Sequence, residues 1–434
     1  MLKMVDGTGI IGVDMVCPLG GAVSPPQPPN FDKVEVEGVG SLMLSNSLKA
    51  PLERFELIGN STQGENPSPD NPQEIKSAGR EVEGKYLLDL KITGKNLLNV
   101  SSEAISGKNA DGKYNIQDGV ITFNTINNWG GDYIYFNSID TRNNKNLTFS
   151  GNATLSENPS DIGRGCRILV IAYDKNGALF TDVDTIFAEK SYQWIYNKYY
   201  KGCISSNRIN EGLSAKLTDE VDKITVGVCY SNTAADYPVR ISDVQVEYGT
   251  VNTEYEPYTE QTVQIALDEP LRGVGEYKDV LTKDGVVRKI KKIVFDGSED
   301  EKWALSNDPK NITTNRFCIG MKTINTYYKM LTMCNKMAWK NANQVDVVGQ
   351  STHGVNFYIT LPKDLAPDLQ TFRTWLSQNP LAVDYVLAEP VTEPLPESVQ
   401  AQLQAMHSYN GTTHITVDSG EVPCGIKLTY RKEK

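Results

Sequence analysis

Residues 118–140 read DGVITFNTINNWGGDYIYFNSID, and this stretch decides the fold class. The Asp118-Gly119 dipeptide suits a two-residue hairpin turn, because both residue types tolerate positive φ there. Apolar and polar residues alternate in the segments that follow it, which predicts half-buried strands. The same pattern recurs from 84 to 258 with no amphipathic helix between the segments, so we predict an antiparallel β-sandwich. Its predicted strands are 120–124, 132–137, 145–154, 166–173, 178–187, 191–197, 222–230 and 238–248.

The remaining chain divides around this sandwich, and the overall prediction is a mainly β protein of several small antiparallel domains. A helix is predicted within 363–380, where apolar residues recur at helical spacing before Pro380, and a second short helix within 396–409. A final hairpin is predicted at 412–430. The predicted domains are an N-terminal attachment arm or linker at 1–30, a small β domain at 31–83, the sandwich at 84–258, a hairpin region at 259–305 that completes the small β domain or links it onward, and an α+β domain at 306–434.

Composition excludes several functional classes. The 434 residues carry a net charge of −11, which disfavours nucleic acid and anionic membranes as partners. Three histidines leave few candidates for imidazole catalysis or histidine-rich metal sites. Seven widely spaced cysteines contain no C-x-x-C and predict reduced, buried thiols. The chain has no run of 18 apolar residues, and glycines and Asp14 interrupt its N-terminal apolar stretch, so we expect neither membrane insertion nor a signal peptide.

Two motifs have simpler interpretations than a binding site. Gly7, Gly9 and Gly12 form G-x-G-x-x-G, but the prolines at 25–29 forbid the helix that a dinucleotide site needs. The basic cluster of Arg288, Lys289, Lys291 and Lys292 is predicted to be a solvated strand face rather than a binding patch. The sequence has no catalytic signature, so we expect no enzyme activity, although paired carboxylates placed by the fold remain an alternative.

Aromatic side chains beside amides are the candidate binding residues. Aromatic rings stack on the C–H faces of sugars, while amide and carboxylate groups bind their hydroxyls. The competing interpretation is that the aromatics at period two on a strand form the inner core of the sandwich. The candidate glycan-binding residues are Trp129 in a predicted loop, Tyr133 and Tyr135 on one face of the next strand, and Tyr192, Trp194 and Tyr196 on another strand.

Several phrases carry a resemblance to a known class of proteins. They are LERFELIGNSTQGENPSPDNPQEIKSAG at 52–79, GKNLLN at 94–99, QVEYGTVNTEYEPYT at 245–259, EPLRGVGEYKDVL at 269–281 and VLAEPVTEPLPESVQAQL at 386–403. Together they make the chain resemble tail fibre, receptor-binding and minor structural proteins of phages and prophages of Gram-positive, Clostridia-like hosts. The resemblance implies a carbohydrate-binding-type jelly roll in the middle of the chain.

What the resemblance implies is attachment rather than catalysis. The expected partners are other tail or baseplate proteins, contacted through the N-terminal region, a host-surface glycan, and two further copies of the chain in a homotrimer. The expected location is the virion, after assembly in the host cytoplasm. No cofactor is expected, and a structural calcium ion in the jelly roll stays an alternative. A purely structural connector and a glycan depolymerase are the competing functions.

Overall fold

The computed structural model describes residues 30–36, 40–46, 49–101, 114–123, 132–142, 144–155, 166–190, 195–197, 203–206, 212–230, 239–306, 311–327 and 329–432. The glycine motif and the predicted attachment arm up to residue 29 lie outside them. Within these ranges no helix is long and apolar enough to cross a membrane.

Strands dominate the described part of the chain. The strands before the middle of the chain are β1 (Asn30–Val36), β2 (Ser41–Asn46), β3 (Leu52–Ile58), β4 (Ser61–Gln63), β5 (Ile75–Ser77), β6 (Arg80–Val82), β7 (Lys85–Thr93), β8 (Tyr114–Gln117), β9 (Val120–Phe123), β10 (Asp132–Asp140), β11 (Asn146–Leu155), β12 (Cys166–Tyr173), β13 (Phe187–Lys190), β14 (Ile195–Asn197), β15 (Cys203–Ser206) and β16 (Leu213–Leu217). The later strands are β17 (Lys223–Tyr230), β18 (Val239–Tyr248), β19 (Glu260–Leu267), β20 (Gly273–Val274), β21 (Tyr277–Lys278), β22 (Val280–Leu281), β23 (Gly285–Phe295), β24 (Ala304–Ser306), β25 (Thr314–Gly320), β26 (Thr326–Tyr327), β27 (Thr332–Cys334), β28 (Gly349–Gly354), β29 (Asn356–Pro362), β30 (Leu381–Pro394), β31 (Gly411–Asp418) and β32 (Gly425–Lys432). The helices are α1 (Val183–Ile186), α2 (Leu369–Gln378) and α3 (Glu397–Gln404).

A central sandwich is built from residues 30–93, 260–295 and 381–432, together with β27. Its seven-stranded sheet has the order β1-β32-β3-β22-β23-β30-β27, and its second sheet has the order β19-β7-β31-β2 with β6 beside β7. The alternation in β7 explains how the sheets meet, because Leu88, Leu90 and Ile92 point to one face and are buried. They share a core with Phe55 and Leu57 from the other sheet.

An inserted sandwich, residues 94–259, interrupts the second sheet of the central sandwich. Its two sheets have the orders β10-β17-β12-β15-β14 and β13-β16-β11-β18-β9-β8, and both contribute to one apolar core. The chain leaves the central sandwich after β7 and rejoins it at β19. These two strands pair directly, with Thr93 opposite Glu260, so the ends of the insert lie side by side.

A second insert, residues 296–380, interrupts the seven-stranded sheet in the same way, since Phe295 pairs with Leu381. Its sheet has the order β24-β25-β29-β28-β26, and α2 covers the apolar face. The Asp368 side chain accepts a hydrogen bond from the Thr371 N–H at 2.8 Å and so caps the start of this helix. Phe372 then stacks on Phe317 with ring centroids 4.0 Å apart.

The mainly β fold class is confirmed, and so are local signals within it. Asp118 and Gly119 have φ of 51° and 75° and join β8 to β9, as the hairpin prediction requires. Helices α2 and α3 lie within the two predicted helical segments. The hairpin region predicted at 259–305 contains such a pair: the residues around Asp284 join β22 to β23, which pair through Leu281 and Val286.

Two local predictions are wrong. The segment 178–187 is not one strand, because Asp182 caps a short helix, accepting a hydrogen bond from the Asp184 N–H at 3.0 Å. The predicted hairpin at 412–430 does not form either. Its two strands, β31 and β32, lie in different sheets of the central sandwich, since β31 pairs with β2 and β7 whereas β32 pairs with β1 and β3.

Strand pairing also divides the chain at other points than the sequence suggested. The predicted domain at 84–258 begins one residue before β7 and so includes this strand, yet β7 belongs to the central sandwich. The predicted domain at 306–434 is split, because the chain returns to the central sandwich from residue 381 onward. Both differences have one cause: each insert begins and ends at adjacent strands that are far apart in sequence.

Candidate functional site

Tyr133 and Tyr135 lie on the outer face of the inserted sandwich. Their neighbours on β10, Ile134 and Phe136, are buried in the core between the two sheets. Successive side chains of a strand point to opposite faces, so the two tyrosines are turned away from that core. Their ring centroids are 5.4 Å apart in an edge-to-face arrangement. The competing interpretation of an inner-core stripe therefore does not describe this pair.

A glycine on the neighbouring strand makes room for one of these rings. Gly227 pairs with both Tyr135 and Leu169, and a Cβ there would lie 2.6 Å from Cδ1 of Tyr135. The Tyr135 ring therefore lies across the sheet above Gly227 and is only 8% exposed. Tyr133 is half-buried and presents more of its surface. We therefore assign Tyr135 to packing of this outer face and Tyr133 to its accessible part.

The other candidate residues are distributed differently. Trp129, Tyr192 and Trp194 lie outside the described residues. The backbone of Tyr196 lies on β14, where it pairs with Ile204 of β15. Ile204 pairs in turn with Val170 of β12. The structure thus brings together Tyr133 and Tyr135 of the predicted set.

A cleft between the central and inserted sandwiches was not predicted from the sequence. Its volume is about 1150 Å³. Tyr86, Arg272 and Asp384 of the central sandwich line it on one side, and Arg142 and Lys175 of the inserted sandwich line it on the other. Ligand sites occur preferentially at such junctions between domains.

Asp384 is a buried acid in the wall of this cleft. Its residue is only 2% exposed, and its Oδ1 accepts no hydrogen bond. The nearest cationic atom is Nε of Arg272, at 3.7 Å from Oδ1. Burial raises the pKa of Asp384 from 3.8 to about 6, and the charges of Arg272 and Lys292 oppose this rise. A strongly perturbed carboxyl group in a cleft is characteristic of functional sites.

Charges of both signs line the cleft in almost equal number. The basic residues are Lys76, Arg80, Arg142, Lys175, Arg272 and Lys292, and the acidic residues are Glu74, Glu81, Asp222, Asp384 and Glu421. Several are already paired: Lys76 with Glu421 at 2.5 Å, and Arg272 with Glu269. The cleft is therefore rich in hydrogen-bonding groups without a large excess of one charge.

The prediction of a solvated basic cluster is wrong for Arg288. This residue is 4% exposed, and its guanidinium donates to the Pro270 carbonyl at 2.6 Å and to Glu393 at 2.8 Å. It also lies 3.4 Å from the fully buried Asp279. Asp279 in turn accepts backbone N–H bonds from Lys289 at 2.7 Å and from two further residues. One of these N–H groups belongs to Arg272, so the buried Arg288–Asp279 pair holds the backbone of Arg272 in place. Arg272 in turn forms part of one wall of the cleft.

No sequence signal marks Asp384, whose strand is an ordinary apolar segment. Lys292 did stand out as part of the basic cluster, and Arg272 and Asp279 both lie in the distinctive phrase at 269–281. Their proximity to Asp384 depends on β23 pairing with β30, where Lys292 is opposite Asp384.

Neither a metal centre nor a reactive thiol is apparent among the described side chains. No group of three or more His, Cys, Asp or Glu residues able to hold a metal occurs in the part of the chain that the structure describes. Cys334 and Cys424 are buried thiols, and burial raises the pKa of Cys424 to about 11. Comparison with known proteins finds no matching family model and no significant match among curated proteins.

Proposed function

We propose that the chain is a structural protein of a phage tail, a fibre or receptor-binding component, whose inserted sandwich attaches to a host-surface glycan. The observation that carries this proposal is the Tyr133–Tyr135 pair on an outer sheet face rather than in the core. Accessible aromatic surface on a rigid sheet suits stacking against sugar rings. The jelly-roll character of the module belongs to this proposal and rests on the resemblance of the sequence phrases.

The architecture supports a display function. Both ends of the inserted sandwich are fixed to one pair of strands, so the rest of the module projects from the central sandwich. A weak sugar site becomes effective when linked copies on one particle bind together, because the second contact is intramolecular. We therefore include in the proposal a homotrimer that joins other tail or baseplate proteins through its N-terminal region and is assembled in the host cytoplasm.

A glycan array probed with the full chain tests the proposal. We expect binding, and we expect Tyr133→Ala and Trp129→Ala to weaken it by about tenfold each, the loss of roughly one stacking contact. Tyr327→Ala is the matched control, since Tyr327 is an exposed tyrosine of the second insert. Absence of any glycan binding by the unmodified chain would refute the proposal. Unchanged binding by both aromatic variants would refute the assignment of these residues.

The second candidate function is a connector that joins tail proteins without binding sugar. The burial of Leu169 favours it, because this residue is fully buried although it lies on the outer face with Tyr135. A face covered in this way is suited to packing. The connector predicts no binding on the array and stable association with neighbouring tail proteins.

The third candidate is a glycan depolymerase, favoured by the carboxylates that line the cleft. A carboxyl group with a raised pKa such as Asp384 is suited to act as a general acid. Release of reducing ends from host polysaccharide by the purified chain, and its loss in Asp384→Asn, would favour this function over attachment.

A further inference from the structure

We propose that the cleft between the central and inserted sandwiches is a binding site for a neutral saccharide, with Asp384 as its buried hydrogen-bond acceptor. This site goes beyond the proposed attachment surface, because it lies between the modules and shares no residue with the Tyr133–Tyr135 face. Three separate properties of the cleft favour such a ligand: an unused acceptor, the balance of charge, and its size and lining.

The first property is the unused acceptor. A buried carboxylate oxygen without a hydrogen bond is costly, and buried polar groups in folded proteins almost always have a partner. Oδ1 of Asp384 has none, although its residue lines the cleft. Arg272 is held close by ion pairing but lies at 3.7 Å, beyond hydrogen-bonding distance. Oδ1 has almost no accessible surface, so a ligand hydroxyl supplies the missing donor only when the side chains that cover this atom shift on binding.

The second property is the balance of charge. A site for a phosphate or carboxylate needs an excess of cations, and a site for a cation needs an excess of acids. Here six basic residues face five acidic ones, Lys76 is paired with Glu421, and Arg142 is paired with Asp140, which lies outside the cleft. Such a lining has little net charge and many donors and acceptors. It matches a ligand with many neutral hydroxyl groups better than it matches an ion.

The third property is the size and lining of the cleft. Typical small-molecule pockets occupy about 300–1,000 Å³. The present cleft, at about 1150 Å³, has room for several sugar rings. Tyr86 lines it and adds an aromatic surface for the C–H face of a sugar. Lys175 and Asn176, from a turn of the inserted sandwich, face these groups across the cleft, so that a bound ligand would contact both modules.

The neighbouring lysines of β23 provide a matched pair of variants. Lys292 lines the cleft and lies opposite Asp384 on the neighbouring strand β30. Lys291 lies opposite Tyr385 on the same strand and is exposed, as Lys292 is. Successive residues on a strand point to opposite faces, so only one of the two reaches the cleft. Asp384→Asn changes a carboxylate to an amide of the same shape.

The experiment is a glycan array carrying neutral hexose, deoxyhexose and N-acetylhexosamine oligosaccharides together with acidic ones, followed by calorimetric titration of the best neutral binder. We expect Asp384→Asn, which keeps an acceptor oxygen but loses its charge, and Lys292→Ala, which loses a donor, each to weaken its binding by about tenfold, and Lys291→Ala to leave it unchanged. Hydrogen exchange should show protection by the same saccharide at 75–81 and 381–386.

The outcomes separate this proposal from the attachment proposal. Binding that is lost in Tyr133→Ala but retained in Asp384→Asn and Lys292→Ala refutes the cleft site and leaves the attachment surface standing. The reverse result supports the cleft and refutes the aromatic face. If Lys292→Ala weakens the binding of acidic oligosaccharides alone, the inference of a neutral ligand is overturned. Absence of binding to every oligosaccharide refutes both proposals.

Discussion

Replacing Asp384 with asparagine should make the protein more stable at neutral pH. The carboxyl group has a pKa of about 6 in the folded chain, against 3.8 as its ordinary value, because burial disfavours its charged form. At about 1.36 kcal/mol per pKa unit, the ionised group costs roughly 3 kcal/mol at pH 7.5. The folded state binds more protons than the unfolded state between these two pKa values. The protonated carboxyl group of Asp384 therefore contributes fully to the free energy of unfolding at low pH, and this contribution is lost as pH rises through 6.

A second buried group acts in the opposite direction over the same range. His414 packs edge-to-face on Tyr248 with ring centroids 4.9 Å apart, where the central and inserted sandwiches meet. Burial lowers the pKa of His414 from 6.5 to about 4, so stability is lost as pH falls through this interval. Between pH 4.5 and 7.5 the two contributions are each about 2 to 2.5 kcal/mol and of opposite sign. The two contributions largely cancel, so the pH dependence of the wild-type free energy of unfolding reveals neither of them.

The informative quantity is the difference between variant and wild type. Urea unfolding followed by circular dichroism at pH 4.5, 5.5, 6.5 and 7.5 should give a free energy of unfolding for Asp384→Asn that gains about 2 kcal/mol on wild type as pH rises. Asp300→Asn removes a carboxylate from an exposed position and serves as control. A difference that stays constant with pH, or that shrinks as pH rises, would refute the assignment of Asp384 as a buried acid.

Two further predictions concern packing. Arg288→Met should lower the free energy of unfolding by about 3–5 kcal/mol in urea titrations, because it leaves Asp279 buried without its cation; a loss below 1 kcal/mol would contradict the buried pair. Gly227→Ala should destabilise the inserted sandwich by about 1–3 kcal/mol, since the new Cβ would overlap the Ile134 carbonyl oxygen and lie 2.6 Å from the Tyr135 ring. Gly320→Ala, where the nearest contact is 3.8 Å, is the control for scanning calorimetry, and equal melting shifts in the two variants would rule out crowding at Gly227 as the cause.

Features set by a few neighbouring residues were predictable from the sequence. The hairpin at Asp118-Gly119 follows from two residue types that tolerate positive φ, and α2 follows from apolar spacing and the stop at Pro380. The alternation of β10 likewise placed Tyr133 and Tyr135 on one face. Alternation alone cannot say which face is the core, because Tyr135 is itself nearly buried on the outer one.

Features that depend on distant pairing were not predictable. The segments β31 and β32 look like a hairpin because only six residues separate them, yet their partners lie near the other end of the described chain. Asp384 is flanked by apolar residues and carries no signal, and it becomes part of a cleft only when β30 pairs with β23. The cleft also needs Arg142 and Lys175 from the inserted sandwich. A single sequence does not encode that proximity in any local pattern.

Each insert begins and ends at directly paired residues, Thr93 with Glu260 and Phe295 with Leu381. The strands of the central sandwich therefore continue past each insert without a break in their pairing. Joining either pair by a two-residue turn would convert the flanking strands into an ordinary β-hairpin and leave their ladder intact. Loops that close over adjacent ends carry a small entropic penalty that grows only slowly with length. Foreign modules of different size could therefore be exchanged at these two points while the register of the host strands is preserved.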